Sequence, residues 1–176
     1  FFDGCGRTTD IAAAPKMAEA LHLSIGKNTG ALFDDQHNVV GGNMTDQALL
    51  KFLGEDTFRA LAAREDCEIG AQQDFNSANK FSQAYLPGQG RTFYKGAPER
   101  LLAKAKKCLD AQGNEVPIDE AALNAKIDAL ANRAMRVLAF GYSRQPLVRD
   151  ELHDDLVVIG LVGFRDDVRP EAREAI

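Results

Sequence analysis

Between residues 81 and 95 the chain reads as two strand-forming runs around a turn: Phe81-Ser82-Gln83-Ala84-Tyr85-Leu86, then Pro87-Gly88-Gln89-Gly90, then Arg91-Thr92-Phe93-Tyr94-Lys95. Each run is too short for a stable helix, and a Pro-Gly turn brings the chain straight back beside itself. Strands joined so tightly pair antiparallel, so a β-hairpin is expected here. At 176 residues and 45% hydrophobic, the chain is large enough for one core and small for two.

The flanking segments supply helices and further strands. Ile11, Met17, Leu21 and Ile25 mark a helix over residues 10–25 with Pro15 near its start, ended by Asn28-Thr29-Gly30. Gly41-Gly42-Asn43 is a turn, and Thr45 is placed to N-cap a helix carrying Ala48, Leu49, Phe52 and Leu53, with another short helix over 56–64. Residues 67–75 read as a strand. Pro98 opens a helix expected to run to Leu109, 110–117 is a polar turn, and Asp119 N-caps a helix striped by Ala122, Leu123, Ile127, Leu130 and Ala134. Two more strands cover 136–142 and 156–164, and after Pro170 a helix begins that Ile176 leaves unfinished. The expected fold is α+β, a mixed, mainly antiparallel sheet flanked by helices.

Composition excludes several functions. With 21 basic against 26 acidic residues the net charge is -5, the wrong sign for neutralising a nucleic-acid backbone. Cys5, Cys67 and Cys108 are odd in number and far apart, and His22, His37 and His153 are scattered, so neither a disulfide framework nor a metal site is expected. The most apolar stretch, 156–164, falls well short of the roughly 20 residues of a membrane-spanning helix, and the N-terminus shows no secretory pattern.

Familiar phosphate loops fail. Gly26-Lys27-Asn28 lacks the upstream glycine and the Ser or Thr of a P-loop, and Gly88-Gln89-Gly90-Arg91-Thr92-Phe93 lacks the third glycine of a dinucleotide fingerprint. Lys95-Gly96-Ala97-Pro98-Glu99 is more suggestive, because a strand there delivers a lysine to a glycine turn ahead of a helix N-terminus, a setting that favours anions. A solvated lysine on an ordinary turn fits those residues as well.

Lys95-Gly96-Ala97-Pro98-Glu99 resembles the signature of the nucleotide-binding domain of P-type cation-transporting ATPases, and four other segments resemble that family in the same order. Gly42-Asn43-Met44-Thr45-Asp46-Gln47-Ala48-Leu49-Leu50 is similar to its Pro-Thr-Glu-x-Ala-Leu segment, and Phe75-Asn76-Ser77-Ala78-Asn79-Lys80-Phe81-Ser82 to its Phe-Ser-x-x-x-Lys-x-Met stretch. Arg136-Val137-Leu138-Ala139 resembles its Arg-x-Leu-Ala segment, and Asp166-Asp167-Val168-Arg169-Pro170-Glu171 its hinge into the phosphorylation domain. The resemblance leans to the calcium-pump branch.

That resemblance implies an ATP-binding lobe, using ATP as Mg-ATP in the parent protein. Phe75 would stack on adenine, Lys80 would flank it, and Asp46 would hold its amino group. Lys95, with Gly96 beside it, would lie deep in the pocket, and Arg136 would reach the β-phosphate. Asp166 and Arg169 would belong to the hinge, dividing the chain into a nucleotide-binding domain over 1–165 and the start of a phosphorylation domain over 166–176. Phe75 as a core side chain, Asp46 as a helix first-turn acid and Arg136 in a surface ion pair remain the alternatives.

Departures from the pattern are Asp46 for the usual Glu, Met44 for Pro, Ser82 for Met, and Ser77 where Arg is common. The family's Asp-Lys-Thr-Gly acceptor, its magnesium segment and its dephosphorylating loop do not occur in these residues. The resemblance therefore implies a soluble cytoplasmic lobe of an integral membrane pump, working with the phosphorylation and actuator domains of the same parent chain and inactive alone. The alternative is a lobe that keeps the fold as a scaffold without nucleotide.

Overall fold

The structure, a computed structural model, describes residues 2–3 and 14–165. The hinge residues Asp166 and Arg169, the proposed boundary at 165/166, the unfinished last helix and the first turn expected before Ala14 lie outside the described residues.

In chain order the elements are β1 (Phe2–Asp3), α1 (Pro15–Lys27), β2 (Ala31–Phe33), β3 (Val39–Gly41), α2 (Met44–Leu53), α3 (Glu55–Ala62), β4 (Ala71–Gln73), β5 (Phe81–Leu86) and β6 (Arg91–Gly96). There follow α4 (Pro98–Leu102), β7 (Ala105–Leu109), β8 (Glu115–Pro117), α5 (Glu120–Ala131), β9 (Met135–Ser143) and β10 (Leu156–Arg165). The expected 81–95 hairpin is present, with Phe81 opposite Gly96 and Leu86 opposite Arg91. It lies within an eight-stranded sheet of order β4-β5-β6-β9-β10-β7-β8, with β1 also pairing β10. The β10–β7 pair is parallel and the others are antiparallel, so the sheet is mixed and mainly antiparallel, as expected.

Side-chain alternation sends the two faces of the sheet to two cores. Phe93, Phe140 and Tyr142 pack with Met17 and Leu21 of α1, Leu49 and Leu50 of α2, and Leu61 of α3. Phe81, Tyr94, Ala139 and Val158 pack on the opposite face against Leu101 of α4 and Leu123 of α5. A register shift in β10 between Val158 and Gly160 reverses its alternation, so that Val158 faces the second core while Val162 faces the first. Each such side chain, once fully buried, contributes about 1.5–3 kcal/mol.

Several local expectations change. The helix after Pro98 ends at Leu102, and Ala105–Leu109 is a strand whose Cys108 pairs with Val158. Helical propensity gives way there to burial of Cys108 and Leu109 beside β10. The polar turn at 110–117 closes on itself through Asp110 and continues as β8. The strand expected over 67–75 is confined to Ala71–Gln73, after a 3-10 turn at Glu65–Cys67. Helix α2 is capped by Asn43, whose Oδ1 accepts from the Asp46 amide at 2.8 Å, rather than by Thr45. Gly41 and Gly42 adopt positive φ (78° and 63°), which turns the chain so that Asn43 arrives extended at the cap. Asp119 does cap α5, accepting from the Ala122 amide at 3.1 Å. Hairpin β2–β3 had no counterpart in the sequence reading.

Candidate functional site

A cavity of about 510 Å³ opens at one end of the sheet, on the face covered by α1 and α2, with Asp46, Phe75, Lys95, Arg136, Leu138 and Phe164 among its lining residues. Three strands deliver this wall. Lys95 comes from the end of β6 and lies across from Phe140 of β9. Two residues apart on a strand share a face, so Arg136, Leu138 and Phe140 project to that same side. Phe164 stands directly opposite Arg136 on β10.

The polar centre is a buried ion pair. Lys95 Nζ donates to Asp46 Oδ1 at 2.5 Å and to the Asn28 carbonyl at 2.7 Å, with Lys95 5% and Asp46 8% exposed. Asp46 Oδ2 accepts from the Gly30 amide at 3.2 Å. Asn28 is itself fixed, its Nδ2 donating to the carbonyls of Ser82 at 3.0 Å and Phe93 at 3.3 Å. Burial pulls the Lys95 ammonium below its ordinary value, and the Asp46 carboxylate opposes that shift.

Phe75 is 48% exposed and belongs to neither core. It stands in the loop between β4 and β5, presenting a ring to the cavity that is not fixed by close packing. Aromatic rings left half in water are suited to taking up another flat partner.

The structure thus brings Asp46, Phe75, Lys95 and Arg136 to one cavity. Lys80 and Gly96 stand outside its lining. Lys80 is exposed with φ 62°, on the turn that follows Phe75. Gly96 is a packing residue: a Cβ there would meet the Lys80 carbonyl oxygen at 2.4 Å and the Phe81 Cβ at 2.6 Å. The expected anion setting at 95–98 does not form. The Ala97 amide donates to the Lys80 carbonyl at 3.0 Å, Pro98 has no amide, and Lys95 turns to Asp46. Sequence reasoning passed over Asn28, noticed only as a helix stop, and the apolar wall of Leu138 and Phe164. Strand alternation around Arg136 was the signal that could have found Leu138.

A mainly antiparallel α+β sheet with an aromatic, a buried Lys–Asp pair and an arginine at one end defines the site, and comparison places the chain in a known family. Residues 17–171 match the family described as P-type ATPase, cytoplasmic domain N, and the chain belongs to that family. It is 34% identical over 173 residues to calcium-transporting ATPase 10, plasma membrane-type, of Oryza sativa subsp. japonica, covering 91% of this chain and 17% of that protein. Calcium-transporting ATPase 4, plasma membrane-type, of Arabidopsis thaliana is 30% identical over 188 residues, with 99% and 18% covered. Plasma membrane calcium-transporting ATPase 4 of Bos taurus is 31% identical over 151 residues, with 77% and 12% covered. The chain spans less than a fifth of the length of these relatives. Among the described residues no helix is long and apolar enough to cross a membrane.

Proposed function

We propose that this chain is the ATP-binding lobe of a calcium-transporting P-type ATPase and that it presents ATP to a phosphorylation-site aspartate elsewhere in the parent chain. The observation that carries this reading is the convergence of Phe75, Lys95, Asp46 and Arg136 on one cavity. Its chemistry fits an adenine nucleotide: a half-exposed ring for the base, a carboxylate for its amino group, and cations for the phosphates.

Phe75 stacks on adenine, an interaction of about 1–3 kcal/mol that tolerates different bases. Asp46, with two lone-pair positions still open on its oxygens, accepts from the adenine amino group. Lys95 uses two of its three donors on Asp46 and Asn28 and turns the third to the ligand. Arg136 grips a phosphate with its planar fork. Lys80 adds positive charge on the turn beyond Phe75, and Gly96 acts only by letting β6 pack against β5. Magnesium enters on the nucleotide's phosphates.

Phosphoryl transfer requires metal, in-line nucleophile and charge stabilisation together. The lobe therefore binds ATP, and the phosphorylation domain, reached through a hinge at Asp166 and Arg169, completes the reaction. The alternative, a lobe that keeps the fold without nucleotide, draws on Asp46, both of whose oxygens already accept hydrogen bonds.

Amide shift mapping during ATP titration tests the placement. Shifts gathered at 43–46, 75, 95–97 and 136–138 are expected. Shifts confined to the other large cavity, lined by Arg100, Lys104 and Asp154, would remove the assignment.

A further inference from the structure

Phe75 has no core packing to set its ring, yet its loop is tied at both ends to one residue of a distant segment. Oδ1 of Asp150 accepts from Gln73 Nε2 at 2.5 Å and from Asn79 Nδ2 at 2.6 Å. The Asp150 amide donates to Gln73 Oε1 at 2.8 Å, which closes a two-way bond with the last residue of β4. Loop 74–80 is thereby spanned by a single carboxylate oxygen. The same junction is anchored inward, because buried Gln83 donates to both Gln73 Oε1 at 2.8 Å and the Val148 carbonyl at 2.9 Å. Within the loop, Asn76 receives the Asn79 amide on Oδ1 and the Lys80 amide on its carbonyl, and Arg100 Nε donates to the Asn79 carbonyl at 3.1 Å.

Asp150 holds its place with φ 66°, a left-handed backbone that aspartate tolerates better than most residues. Its side-chain oxygen takes two bonds, one from each end of the loop, and its backbone amide adds a third to Gln73.

We propose that Asp150 is the positioning residue for Phe75: by clamping Gln73 and Asn79 it holds loop 74–80 in the conformation that presents the ring to the cavity. This rests on the nucleotide reading above only for its effect on ATP, since the clamp itself is a property of the free protein. Losing the clamp leaves a mixture of loop conformations, and apparent affinity falls by the fraction that remains competent. Only the side-chain oxygen bridges Gln73 to Asn79, so asparagine preserves the bridge, while glycine removes it, keeps the amide bond to Gln73 and adds no left-handed strain.

The chain contains no tryptophan, so Phe75→Trp places a single fluorescent reporter at the site. In the nucleotide-free F75W protein, Asp150→Gly lowers the anisotropy of the indole and Asp150→Asn leaves it unchanged. In the natural sequence, Asp150→Gly speeds amide exchange at Asn79 and Lys80 about tenfold. It also raises the ATP Kd about fivefold, while Asp150→Asn stays near the starting value. In a Phe75→Ala background Asp150→Gly adds no further loss. Unchanged anisotropy and exchange in Asp150→Gly overturn the proposal, as does an equal loss of affinity with and without Phe75. A protein whose loop loosens in Asp150→Gly but never responds to ATP upholds the clamp and refutes the nucleotide reading.

Discussion

Lys95 Nζ lies 2.5 Å from Asp46 Oδ1, an ion pair that joins the end of β6 to the first turn of α2 across the cavity wall. The pair has unequal partners. Lys95 is buried in the sheet face, whereas the Asp46 side chain is 11% exposed and keeps the Gly30 amide as a second partner. Removing the acid strands a buried cation. Asp46→Ala is therefore expected to destabilise the fold by about 3 kcal/mol. Lys95→Met, which fills similar volume and leaves Asp46 at the cavity wall with the Gly30 amide still donating to it, costs less, about 2 kcal/mol. Urea unfolding of both variants checks the order, and equal losses would contradict it.

Phe75 separates binding from stability. Because its ring is half exposed, Phe75→Ala changes unfolding free energy by less than about 0.5 kcal/mol. If Phe75 stacks on the base as proposed, the same variant is expected to weaken ATP binding by about 1–3 kcal/mol. Denaturation and nucleotide titration on one variant read both quantities.

Gly96 separates them in the opposite sense. A methyl group at this position meets the backbone of Lys80 and Phe81 inside 2.8 Å, where no flexible side-chain end can yield. Gly96→Ala is expected to lower stability by about 1–3 kcal/mol, seen as a lower urea midpoint.

Acid sensitivity falls in two pH windows, a carboxylate one shared by Glu115, Asp66, Asp150 and Asp155 and a higher one from His22. The Arg144 guanidinium, and then the Tyr142 hydroxyl, hold the Glu115 carboxyl below its ordinary 4.5. Its folded value is the lower one, so its contribution is complete above about pH 4.5 and is lost as pH falls through the folded value. Burial also lowers His22 from 6.5, so its contribution begins to fade earlier, below about pH 6.5, as the unfolded chain takes the proton first. Glu115→Gln should shrink the loss in the lower window, where Asp66, Asp150 and Asp155 still titrate, and leave the upper one, measured as urea stability against pH.

The hairpin at 81–95, the Asp119 cap and the strands at 136–142 and 156–164 were legible because turn chemistry and apolar runs are local signals. The residues after Leu102 were not, since Lys-rich helical spacing says nothing of a parallel partner fifty residues downstream. At the site, Phe75, Lys95 and Arg136 could be singled out as residue types in motifs. That Asn28 would fix Lys95 through a backbone carbonyl, or that Asp150 would clamp the Phe75 loop, depends on contacts 67 and 71 or more residues apart in the chain. Such contacts leave no periodic trace.

The proposed function requires the cavity to take ATP without turning it over. Calorimetric titration with ATP, with and without magnesium, tests it most directly when the mixture is also assayed for ADP. Millimolar affinity, worth about 4 kcal/mol, would suffice if binding is saturable, weakened by Phe75→Ala, and unaccompanied by product. No saturable heat at millimolar ATP from a folded sample would contradict the account and leave a lobe that keeps the fold without the nucleotide.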